Sequence, residues 1–128
     1  MNYGYSKKVD LSFEDAVKKV TEELQKEGFG VLTEIDVKAT MKKKLDVEVN
    51  PYIILGACNP PIAHKVLQKE QEVGLFLPCN VIVYINDKNE TIVSAIEAGT
   101  MMTVIENPEI QDLGYEVQKK LHSVIDAV

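Results

Sequence analysis

The chemistry of this sequence concentrates where an apolar run meets a helix start. Residues 56–64 read Gly-Ala-Cys-Asn-Pro-Pro-Ile-Ala-His and residues 77–80 read Leu-Pro-Cys-Asn. Cys58 stands directly before Asn59 and Pro60, a pairing that opens helices. A helix N-terminus offers unpaired N–H groups and partial positive charge, so it can hold a small anion or make a nearby thiol a better nucleophile. Cys58, Asn59 and Cys79 are therefore candidate ligand-binding residues. Cys58, His64 and Cys79 also supply donor types that zinc or another soft metal such as copper prefers, which makes them a candidate metal set. A structural zinc site wants four ligands, and this set names three.

Simpler roles compete with each of these. Free cysteine is among the most buried residue types, Asn59 is a natural N-cap, and Asn80 at a strand edge can bond to backbone. A Cys58–Cys79 disulfide needs Cα atoms within about 7 Å. Glu34 and Asp36 flank a strand end, and Glu97 closes a later strand, where carboxylates can meet a cation or a substrate hydroxyl. His122 lies near the end of the last helix, where it suits the dipole. Tyr84, Met101 and Met102 read as core or dimer filling. The sequence contains no C-x-x-C pair and no phosphate-cradling glycine loop, and no Ser-His-Asp set follows from spacing, so whether the chain is an enzyme stays open.

The elements that must position these groups follow from local patterns. Residues 2–9 read as an opening strand. Ser12 with Asp15 approximates a capping box, after which Phe13, Val17, Val20 and Leu24 keep helical spacing until Gly28. Residues 31–35 are β-rich, and Asp36 caps a helix with Val37, Met41 and Leu45 on one face. Residues 52–57 form a buried strand, and the helix from Asn59 and Pro60 turns Ile62, Ala63, Val66 and Leu67 inward. Residues 75–85 read as a central strand, joined through a polar turn at 86–89 to a partner at 91–95. Asn107 and Pro108 open the last helix, with Ile110, Leu113, Val117, Leu121, Val124 and Val128 at helical spacing.

This order predicts an α+β fold, a two-layer sandwich whose mixed sheet of about five strands carries its helices mainly on one face. Apolar residues on both faces of 81–85 imply that a second subunit covers the other face, hence a homodimer. With 128 residues and no linker-like shift, the chain forms a single domain, 1–128, large enough to build a core unaided.

Twenty acidic residues against 14 basic ones give a net charge of -6, which repels nucleic acid and anionic membrane surfaces. Lys42 to Lys44 form the one basic cluster, read as a solvated helix face. No leader pattern and no run of about 18 apolar residues occurs, and two sparse cysteines fit a reducing compartment. Cytoplasmic residence is the expectation.

Three ordered motifs carry a resemblance: residues 33–40, Thr-Glu-Ile-Asp-Val-Lys-Ala-Thr; residues 55–60, Leu-Gly-Ala-Cys-Asn-Pro; and residues 74–81, Gly-Leu-Phe-Leu-Pro-Cys-Asn-Val. Together they resemble the domain of unknown function 302 family over nearly the whole chain. The resemblance implies a small α+β domain that pairs as a dimer. It groups Cys58, Asn59, Pro60, Pro78 and Cys79 as a shared feature, with Glu34, Asp36 and Lys38 as a polar companion set. Glu97-Ala98-Gly99 replaces the family's usual acidic-Pro step. The leading expectation is a small binding module for a soft metal, thiol compound or small anion. The alternatives are a thiol enzyme with Cys58 as nucleophile and Cys79 as resolving partner, and a structural dimer without a site.

Overall fold

A computed structural model describes residues 2–128. The first strand, β1 (Gly4–Val9), leads into α1 (Phe13–Lys26), whose start is held by Ser12 Oγ accepting from the Asp15 N–H at 3.1 Å. The helix ends in a Schellman turn: Gly28 takes φ 84°, its N–H bonds to the Gln25 carbonyl, and the Phe29 N–H reaches back to Leu24. Leu24 and Phe29, the apolar pair that accompanies such turns, are both buried.

The chain continues through β2 (Gly30–Asp36), α2 (Val37–Leu45), β3 (Tyr52–Cys58), α3 (Pro60–Lys69) and a 3-10 segment (Gln71–Phe76). A hairpin of β4 (Cys79–Ile85) and β5 (Thr91–Ile96) follows, then a short α4 (Ala98–Met102) and the long α5 (Pro108–Ala127). Residues 71–76 thus form 3-10 structure, so the central strand begins at Cys79 rather than at residue 75.

The five strands form one sheet in the order β1-β5-β4-β3-β2, and every neighbouring pair is antiparallel. The α+β sandwich stands, but the sheet is antiparallel throughout rather than mixed. The expectation of parallel pairs assumed that each strand–helix–strand unit is a crossover. Here α2 and α3 instead sit in long hairpin-like returns, β2 to β3 and β3 to β4. Only α1 crosses the sheet, joining β1 and β2, which run parallel at opposite edges.

Period-two alternation sorts the central strands. Leu55, Val81, Val83 and Val93 are fully buried beneath α1 and α5, whose Val20, Leu24, Ile110, Leu121 and Val124 supply the facing layer. Burying each such side chain contributes about 1.5–3 kcal/mol, so this layer sets the register. The opposite face carries Tyr52, Ile54, Ile82, Tyr84, Ile92 and Ile96, all left partly exposed. At its edge α2 has no buried residue.

Candidate functional site

The candidate site forms where β3 ends. Asn59 caps α3, its Oδ1 accepting from the Ile62 N–H at 3.4 Å while its Nδ2 donates to the Glu27 carbonyl at 3.3 Å. One carboxamide thus ties the start of α3 to the end of α1. Gly28 keeps this contact open, since a Cβ there would lie 3.1 Å from Asn59 Nδ2.

On the neighbouring strand Cys79 pairs with Ala57, one residue short of Cys58. The Leu77–Pro78 peptide bond is cis, and Pro78 packs over Gly56. Cys58, Asn59 and Cys79 then share a cavity of about 30 Å³ with Phe29, Ala57 and Met102. Both cysteines are free; Cys58 is partly exposed and Cys79 is 7% exposed. Burial pushes the Cys79 thiol up to about 11, and the neighbouring Cys58 adds to the rise. Cys79 therefore stays protonated at neutral pH and is a poor nucleophile.

The other expected members fall elsewhere. His64 is exposed on α3, two residues from buried Ile62, and positions two apart on a helix do not share a face. Among the described residues no group of three or more His, Cys, Asp or Glu is placed to hold a metal ion, so Cys58, His64 and Cys79 are not gathered into one. The helix start also lacks the free donors that an anion needs. Pro60 and Pro61 have no N–H, and the next two N–H groups, of Ile62 and Ala63, are taken by Asn59. Asp36 is spent on capping α2, accepting from the Ala39 N–H at 2.9 Å. Glu34, Asp36 and Lys38 are all exposed; Asp36 pairs with Ile53, five residues before Cys58 and about 16 Å along the sheet from it, and Glu34 pairs with Leu55, about 10 Å away.

Sequence reasoning missed a second polar cluster. Glu97, nearly buried at the end of β5, bonds through Oε1 to His122 Nε2 on α5. Tyr5 on β1 stacks on the His122 ring, with centroids 3.8 Å apart and planes within 12°, and its hydroxyl donates to Asp126 Oδ1 at 2.6 Å. That hydrogen bond to a carboxylate, first among the causes, raises the Tyr5 pKa above its ordinary value. His122 thus joins three elements instead of serving the helix dipole. Nothing in local spacing signals this cluster, which joins residues more than 100 positions apart.

Against this geometry, the model of the family described as "Domain of unknown function DUF302" matches residues 5–128. The chain belongs to the DUF302 family. Among solved structures, it is similar to the crystal structure of "uncharacterized conserved protein DUF302 from Bacillus stearothermophilus". The two share 27% identity with a TM-score of 0.93, over 99% of this chain and 98% of that one. A comparison with curated proteins gives no match. In this DUF302 chain the Glu97-Ala98-Gly99 step is buried and begins α4, and Gly99 lies against the ring of Tyr115. No helix of the described residues is long and apolar enough to cross a membrane.

Proposed function

We propose that this DUF302 chain is a small homodimeric binding module whose site is the cavity between β3, β4 and α3. The observation that carries this reading is that Cys58, Asn59 and Cys79, from two separate sequence segments, line one small pocket. Its lining favours a small, soft or apolar ligand over an anion, because the N–H groups at the α3 start are already bonded. The thiol-enzyme alternative fits less well, since burial holds Cys79, the resolving partner, protonated.

The uncovered sheet face motivates the dimer. Ile54, Ile82, Tyr84 and Ile92 are only partly covered, Tyr52 stacks on Tyr84 at 5.3 Å, and Ile35 and Leu45 are 49% and 66% exposed. A second copy of the same face would bury them by two-fold pairing and give α2 a surface to pack on. Two unpaired thiols suit a reducing compartment, and we place the protein in the cytoplasm.

The site is tested with two soft probes, Ag(I) and methanethiol. At least one is expected to raise the melting temperature and slow iodoacetamide labelling of Cys58 and Cys79, an effect lost in the Cys58→Ser/Cys79→Ser double variant. If neither probe changes stability or labelling of the folded dimer, the cavity is not a binding site.

A further inference from the structure

We infer that β2 and α2, with residues 46–49, form an arm that a second copy of the chain completes: the partner fills the cleft beside α2, and that contact holds α2 folded. This rests on the dimer reading above and goes beyond it by naming the element whose folding depends on the dimer.

Across residues 32–50 every residue is exposed except Val37 and Met41, and those two are only half-buried. Five large apolar side chains lie bare along this stretch: Leu32, Ile35, Leu45, Val47 and Val49. Single exposed apolar residues need no explanation, but a concentration of them marks a surface that something else covers. The helix within the stretch, α2, is nine residues long and has no buried residue. Its ends are closed, by Asp36 accepting from the Ala39 N–H at 2.9 Å and by Asp46 in the left-handed region at φ 54°. Caps alone do not hold so short a helix, because isolated helices below about 12–15 residues are marginal in water and most draw their stability from a packed face.

The missing face lies on the uncovered side of the sheet. Strand pairing runs Ile35 through Ile54 and Ile82 in one row, with Tyr52 and Tyr84 in the next. Val37, Met41 and Val49 stand across an open cleft from these tyrosines, so the arm is a wall and the apolar face its floor. Charge selects what enters. α2 carries Lys38, Lys42, Lys43 and Lys44 and no acid, on a chain whose net charge is -6. Lys42 is paired with Asp46 and Glu48; among the described residues the other three lysines lie in no ion pair. A basic arm on an acidic body is complementary to another copy of itself. On the floor the charged residue is Lys8, neutralised by Glu90 at 2.8 Å, so two copies meet there without opposing like charges.

The test compares hydrogen exchange in full-length, reduced wild type and Ile82→Asp, with sedimentation of both; diluting the wild type to its monomer gives the same comparison without a substitution. The amides of residues 41–45 should exchange slowly in the dimer and on the order of tenfold or more faster in the monomer, while those of α1 and α5 keep their protection. Leu45→Ser removes a group that one chain alone leaves 66% exposed, so the fold should persist while the dimer weakens on the order of tenfold. Lys43→Glu/Lys44→Glu should weaken it most at low salt. Leu75→Ser, 83% exposed but outside the arm, should leave the dimer unchanged. A dimer indifferent to Leu45→Ser or to the charge reversal, or equal exchange of residues 41–45 in monomer and dimer, overturns the arm and leaves the dimer standing. A wild type that is monomeric at micromolar concentration overturns both.

Discussion

Gly56 packs so tightly against Pro78 that a Cβ at position 56 would lie 2.8 Å from Pro78 Cγ, and it would also strike Thr33 Oγ1. The close approach holds the end of β3 against the entry to β4, which is where Cys58 and Cys79 come together. Gly56→Ala is expected to cost about 1–3 kcal/mol, the usual range for overpacking, and to loosen the cavity. Urea unfolding measures the first effect and faster iodoacetamide labelling of Cys79 the second; a variant as stable and as protected as the wild type would refute the constraint.

The buried thiol makes a prediction in pH. Cys79 moves from an ordinary value of 9.0 to about 11 in the folded protein, so the folded state holds a proton that the unfolded chain gives up. Its stabilising contribution is complete below pH 9 and is lost as pH rises towards 11. Wild-type stability should therefore fall across this window by more than that of Cys79→Ala, in which the group is gone. Denaturant titrations at several pH values give the comparison, and parallel curves for the two proteins would contradict it.

Tyr5 offers an independent check on the second cluster. Its raised pKa has the same sign: stability is present below the ordinary tyrosine value and lost as pH climbs above it. Spectrophotometric titration should show two phenols ionising late, Tyr5 and the partly buried Tyr52, and Tyr5→Phe should remove one of them while keeping the stack on His122. The lost hydrogen bond is expected to lower stability slightly. A late phase of undiminished amplitude in Tyr5→Phe would contradict the assignment.

For the dimer, the decisive residue is Ile82, at the centre of the uncovered face beside Ile54 and Ser94. Ile82→Asp places a charge in the proposed interface without touching the buried side of β4. Sedimentation should find a dimer for the wild type and a monomer with unchanged far-ultraviolet dichroism for the variant. A wild type that sediments as a monomer at micromolar concentration would dismiss the interface.

Much of the fold was legible because its signals are local. Ser12 and Gly28 bound α1, Asn59 with Pro60 opens α3, and Asn107 with Pro108 opens α5, each through a cap that a few neighbouring residues decide. Strand direction was not legible, because whether β2–α2–β3 returns or crosses over depends on which strand β3 meets, and that is a long-range matter. The short α4 has no side-chain cap bond to announce it.

At the site, Cys58, Asn59 and Cys79 were found because soft and polar residues stand out in apolar runs. His64 was misleading, since helical spacing from Ile62 already turns it outward. Pro60 and Pro61 carried the signal against an anion: two imino residues at a helix start remove two of its donors. The Tyr5–His122–Glu97 cluster depends on β1 pairing with β5 and on α5 packing beside them, which no window of sequence contains.

Native mass spectrometry with elemental analysis, on untagged protein purified under reducing conditions without chelator, tests the binding reading most directly. The account predicts a species bound near one per chain, lost in Cys58→Ser and Cys79→Ser variants that still fold. Ligand-free protein that also takes up neither added Ag(I) nor methanethiol, or a bound species that both variants retain, would contradict it.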